Sequence, residues 1–136
     1  MYDGLSNESK GRIQSLLAIL KKYNLHFGYR TISEMSHYIA NSLKYIKNDP
    51  AVELASFDIQ VLQKILPKFY GNYAKLQPPI KEIIHYLSGS KSEIDNFGIN
   101  DIEAINLEEA DFKRSLKKLI KMYEDLSSQG FSSFIE

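Results

Sequence analysis

The stretch "RTISEMSHYIANSLKYIKN", Arg30 to Asn48, decides the fold class. Ile32, Met35, Ile39, Leu43 and Ile46 recur at intervals of three and four, which is one buried stripe of an amphipathic α-helix and not the alternation of a strand. Thr31 and Glu34 stand in a T-x-x-E arrangement, so the spacing predicts a capping box at the helix start. Asp49 precedes Pro50, which predicts a stop near Asn48. Arg30 then falls immediately before the helix. A helix N-terminus carries partial positive charge and unpaired N–H groups, so a cation there gains nothing from the dipole. The placement makes sense if an anion sits between guanidinium and N–H groups; otherwise Arg30 turns into solvent.

The same period extends in both directions. Upstream, Ser6, Asn7 and Ser9 offer N-caps, and Ile13, Leu16, Leu17 and Leu20 line a first helix ending near Asn24. Downstream, Leu54, Phe57, Val61, Leu62, Ile65, Leu66 and Phe69 give a third apolar face. Pro67 removes a backbone hydrogen bond and crowds the carbonyl of Gln63, predicting a kink or a tightened last turn before Gly71. Pro78 and Pro79 predict the start of a short fourth helix carrying Ile80, Ile83, Ile84 and Leu87 to a stop at Gly89. Phe112, Leu116, Leu119, Tyr123 and Leu126 line a fifth helix closed by Gly130. Between them, residues 89–111 are acidic and without sustained period, an irregular insertion with one short helical turn that Ile94, Phe97, Ile99, Ile102 and Ile105 can anchor. The fold expected is all-α: a small bundle of about five helices forming one domain over 1–136. Its parts are a four-helix section (1–88), the insertion (89–111), and a C-terminal helix and tail (112–136).

With 136 residues, 43% of them hydrophobic, the chain can bury a core without covalent staples. Seventeen basic residues balance seventeen acidic ones, so no net field points to nucleic acid or an anionic membrane. The absence of cysteine removes disulfides, a thiol nucleophile and thiolate zinc sites. The longest apolar run, "LLAIL" from Leu16 to Leu20, is far short of the roughly 20 residues a spanning helix needs. A cytoplasmic protein without membrane contact is expected.

Catalytic patterns are hard to find. His26, His37 and His85 form no H-x-x-x-H or H-E-x-x-H pair, and no G-x-S-x-G elbow occurs. "SGSKS", Ser88 to Ser92, lacks the strand and the glycine–lysine pair of a phosphate loop and reads as a turn. Arg114, Lys117, Lys118 and Lys121 follow i, i+3, i+4, i+7 spacing, which aligns four cations opposite the apolar stripe. Such a face can track DNA phosphates or a partner, although solvated faces of this kind are commoner, and Glu108, Glu109 and Asp111 would partly neutralise it. Tyr23, Tyr29, Tyr38, Tyr45, Tyr70, Tyr73, Tyr86 and Tyr123 read as half-buried packing residues, with no basic groove around them for base stacking.

Three blocks occur in a familiar order: "LHFGYRTISEM", "FDIQVLQKILPKFYG" from Phe57 to Gly71, and "SLKKLIKMYEDLSSQGFSSFIE" from Ser115 to Glu136. Together they resemble the C-terminal helical lid of McrB-type AAA+ nucleotidases, the motor subunits of modification-dependent (5-methylcytosine-specific) DNA restriction systems. The most distinctive marks are "QKILPK" followed by glycine and the closing G-F-S-S-F. The resemblance implies that Arg30 is a sensor-2-like arginine, reaching nucleotide phosphates held by a P-loop large subdomain of the same or a companion chain. It implies GTP or ATP with Mg²⁺ in the intact protein and no cofactor or nucleotide hydrolysis in this chain alone, which carries neither Walker motif. It further implies ring-forming AAA+ neighbours, a McrC-type nuclease subunit, and DNA as an indirect partner. The chain would be a lid fragment, cut from a longer protein or encoded separately. The alternative is a free-standing helical module that grips a protein or DNA phosphates through the basic fifth helix.

Overall fold

The computed structural model describes residues 2–25 and 27–134, at 133 the backbone alone. A 3-10 turn, Tyr2–Gly4, leads into helix α1, Asn7–Lys22. Ser6 caps it: its Oγ accepts the Ser9 N–H at 3.1 Å and donates to the carboxylate of Glu53. At the other end Asn24 adopts a left-handed conformation (φ 60°), and the Leu25 N–H reaches back to the Leu20 carbonyl at 2.8 Å.

Helix α2 spans Tyr29–Tyr45 with Gly28 as N-cap. The predicted capping box does not form. Thr31 lies inside the first turn, and Glu34 is engaged by two cations instead. Arg30 is the second residue of the helix, not its flank. Met35 and Ile39 are buried and Ile32 and Leu43 partly so, but Ile46 is 74% exposed because the helix ends one residue before it, short of the expected stop at Asn48.

Helix α3, Pro50–Gln60, begins with proline in its first turn and Asp49 accepting the Val52 N–H at 2.9 Å. The backbone then widens into a π-turn, Val61–Ile65, and tightens into a 3-10 turn, Leu66–Lys68. Pro67 explains the change, since it offers the Gln63 carbonyl no N–H and its ring would strike that oxygen in a regular helix. Val61, Ile65, Leu66 and Phe69 remain fully buried across the distortion.

Helix α4, Tyr73–Ser88, starts five residues earlier than the prolines suggest. Asn72 caps it, accepting the Lys75 N–H at 3.0 Å, and Pro78 and Pro79 sit inside. The prolines leave the carbonyls of Ala74 and Lys75 without helical donors, and both residues face solvent, where water serves instead. Gly89 ends the helix in a left-handed conformation.

The segment from 89 to 111 holds more structure than one turn: a 3-10 turn, Ile94–Asn96, and helix α5, Ile99–Glu103. Phe97 and Ile102 enter the core, whereas Ile99 does not. The His85 ring packs edge-on against Phe97 with centroids 5.0 Å apart and bonds the Ser92 carbonyl at 2.6 Å.

Helix α6, Lys113–Gln129, buries Leu116, Leu119, Met122, Tyr123 and Leu126 and ends at Gly130 in a left-handed conformation. Beyond it the chain turns back as strand β2, Phe131–Ser133, antiparallel to β1, Tyr70–Asn72, with Tyr70 opposite Ser133 and Asn72 opposite Phe131. This ribbon departs from a purely helical expectation, because three-residue strands are too short to show a period. The molecule remains an all-α bundle in which α4 packs on α6 and α2 on α3 around one core.

Two carboxylates on α3 tie the bundle together. Glu53 receives the hydroxyls of Ser6 and Ser9, with the Arg12 guanidinium 3.8 Å away. Burial pushes the Glu53 pKa up, but the two hydroxyls and the guanidinium outweigh it and leave the carboxyl below its ordinary 4.5. A carboxylate whose pKa is depressed by folding stabilises the fold above its unfolded pKa, and that contribution disappears as pH falls through the folded value. The thermal midpoint should therefore decline as pH drops below 4.5, and Glu53→Gln should be less stable at neutral pH yet show a shallower acid decline. Parallel acid slopes for both proteins would remove Glu53 from this role.

Candidate functional site

Helix α2 begins without a side-chain cap, since Gly28 offers only its carbonyl, to the N–H groups of Thr31 at 3.0 Å and Ile32 at 3.5 Å. The N–H groups of Tyr29 and Arg30 have no acceptor within the helix. The Arg30 side chain is 92% exposed. Its Nε donates to Glu34 Oε1 at 3.1 Å, one turn along, while Glu34 Oε2 accepts Lys64 Nζ at 2.8 Å. Lys64, foremost, and Arg30 together hold the Glu34 carboxyl below the usual carboxylate range.

Lys64 arrives from the π-turn, and Lys68, from the following 3-10 turn, sets its ammonium 4.8 Å from the centre of the Phe27 ring beside the start of α2. Arg30 and Lys64 thus share one carboxylate in the second turn of α2, and Lys68 stands over Phe27, just before the helix begins. Arg30 spends only Nε on Glu34, and its two terminal nitrogens have no protein partner among the described residues. The arrangement suits a multiply charged anion, which gains from helix N–H groups, a guanidinium fork and ammonium groups together. Sequence reasoning placed Arg30 here but took Glu34 for a cap and gave Lys64 and Lys68 no part. Both lysines lie within "QKILPK", yet their direction depends on the distortion at Pro67.

The four cations of α6 do not act as one stripe. Arg114 lies 3.9 Å from Asp58, Lys121 pairs with Asp125 at 3.3 Å, and Lys118 sits 4.9 Å over the Phe134 ring. Lys117 is exposed and joins none of these, so the basic face is divided among local partners. The expected neutralisation by Glu108, Glu109 and Asp111 involves no ion pair among the described residues. Among the described residues no group of three histidine or carboxylate side chains stands together as a metal site, and His26 lies outside them. No described helix is long and apolar enough to cross a membrane.

A family model described as a domain of unknown function (DUF8727) matches residues 2–131. No curated protein and no solved structure matches the chain.

Proposed function

We propose that this chain, which belongs to the DUF8727 family, serves as the C-terminal lid of a McrB-like AAA+ nucleotidase in a DNA restriction system. Arg30 contacts the phosphates of a nucleotide bound elsewhere. The observation that supports this most is the exposed Arg30 guanidinium in the first turn of an uncapped helix, sharing Glu34 with Lys64. A nucleoside triphosphate brings the charge that such a cluster stabilises, while the residues that hold Mg²⁺ and orient water belong to a P-loop large subdomain. In this reading the lid works in the cytoplasm, within a ring of AAA+ neighbours and beside a McrC-type nuclease subunit. It meets DNA only indirectly, and the nucleotide is GTP or ATP.

Arg30 illustrates how folding and function separate. Met35 and Ile39 carry the core contacts of α2, so Arg30→Ala should leave the melting temperature nearly unchanged. In the intact nucleotidase the same change removes a charge-assisted bond worth about 1.5–3 kcal/mol, or roughly ten- to a hundredfold in turnover or nucleotide affinity. Arg30→Lys should rescue only partly, because an ammonium lacks the planar fork. Turnover and melting temperature measured on the same preparations decide the matter. Wild-type turnover in Arg30→Ala, an activity loss that merely follows a lower melting temperature, or a genome that supplies no P-loop partner would each overturn the assignment.

A further inference from the structure

The pairing of Arg30 with Glu34 runs against what α2 needs. In a helix the favourable order puts the acid four residues ahead of the base, and here the base comes first. Arg30 also stands in the first turn, where the dipole disfavours a cation. Both side chains are open to water, Glu34 at 38%, so the pair adds little to folding. The surface around Arg30 is bare as well. Tyr29 beside it is 88% exposed, against the packing expected of the tyrosines, and Tyr45 and Tyr70 are exposed too.

The pair holds the guanidinium by one side only. Arg30 Nε donates to Glu34 Oε1 at 3.1 Å, and the Nη1–Nη2 edge is left clear of protein among the described residues. That edge can grip two phosphate oxygens at once, so one guanidinium can keep Glu34 on its Nε side and a phosphate on the other. The carboxylate is in turn fixed from a second element. Glu34 Oε2 accepts Lys64 Nζ at 2.8 Å, and Lys64 is carried on the π-turn, Val61–Ile65, that precedes Pro67. A free arginine on an open surface samples many rotamers and loses that freedom when it binds. Glu34 and Lys64 restrict it before any ligand arrives.

We infer that Glu34, anchored by Lys64, is a positioning residue that aims the free edge of Arg30 at the phosphates of a nucleotide. The inference rests on the lid reading, which supplies those phosphates. Two effects of Glu34 then oppose each other. A carboxylate beside an anion repels it, so by charge alone the loss of Glu34 tightens binding. As the residue that orients Arg30, its loss weakens binding.

Inorganic tripolyphosphate titrated into the full chain at low salt, with the Arg30 Nε–H signal followed by NMR, separates the two effects. Wild type should bind, and the signal should shift. Glu34→Gln should bind about 3- to 10-fold more weakly although it removes a negative charge, because a neutral amide holds the guanidinium less firmly. Glu34→Asp, with the charge on a shorter stem, should fall between. In an Arg30→Ala background Glu34→Gln should no longer weaken binding, since only the repulsion is left to remove. Before phosphate is added, the Arg30 Nε–H should exchange with water faster in Glu34→Gln and in Lys64→Met than in wild type. The melting temperature should barely move in these variants. Equal or tighter binding by Glu34→Gln, or Nε–H exchange unchanged by either substitution, overturns the positioning role and leaves the lid reading standing. A wild type that does not bind, or an Arg30→Ala variant that binds as wild type does, removes Arg30 as the phosphate contact and overturns both.

Discussion

Asp58→Ala should lower the unfolding free energy by about 3–5 kcal/mol, more than any surface substitution in the chain. Asp58 lies on α3 and is 1% exposed, yet its partners all belong to α6. One carboxylate oxygen accepts the Arg114 N–H at 3.0 Å and the other the Ser115 N–H at 2.8 Å, while the Asp58 backbone carbonyl accepts the Ser115 hydroxyl at 2.9 Å. Phe112, the residue at the N-cap of α6, has no side chain able to do this. The cap is therefore delivered from another helix, and it also places negative charge at the positive end of the α6 dipole. Alanine would leave the buried Ser115 N–H and the part-buried Arg114 N–H without acceptors, and a small cavity. Asp58→Asn keeps an acceptor oxygen but also brings an NH₂ toward N–H donors, so it should fall between wild type and alanine. Urea unfolding gives the energies, and amide exchange locates the effect: the N–H groups of Arg114 and Ser115 should lose protection first. A loss under about 1 kcal/mol would mean that α6 is capped in some other way.

Phe57→Ala should cost a similar amount, about 3–5 kcal/mol, by a different mechanism. The ring is fully buried and meets Phe112 edge-to-face, centroids 5.5 Å apart and planes at 64°. Its removal leaves a cavity between α3 and the start of α6 and forfeits the aromatic pair. Phe57→Leu retains most of the apolar volume and should cost less. Because Phe57 and Asp58 grip the same end of α6, the Phe57→Ala, Asp58→Ala double variant should lose less than the sum of the two single losses: once α6 detaches there, the second contact is already gone. Strict additivity would show that the two act independently.

The helical character of the chain was open to reading, because burial on one side of a helix writes a period of three to four into any amphipathic segment. The stripes of α1, α2 and α6, the terminal glycines 89 and 130, and the disturbance at Pro67 all follow from that period and from local backbone chemistry. Local rules misled where a second solution was equally good. Thr31 and Glu34 have the spacing of a cap, but α2 takes Gly28 as its N-cap, three residues earlier, and Glu34 serves Lys64 and Arg30. The paired prolines suit a helix start, yet exposed carbonyls let them sit within α4.

By itself the sequence determined the all-α class, the order and approximate extent of the long helices, and the position of Arg30 at the beginning of one of them, since each depends on residues within a few turns. Only the tertiary structure decided that Asp58 caps a helix 56 residues away, that Lys64 joins Arg30 on Glu34, and that Tyr70 and Phe131 share a surface. Those facts depend on where separate elements come to rest, and a mid-helix aspartate or a loop tyrosine carries no local sign of its distant partner. The reason is physical. Capping, ion pairing and strand pairing act over a few ångströms in space, and chain separation places no limit on which residues meet there.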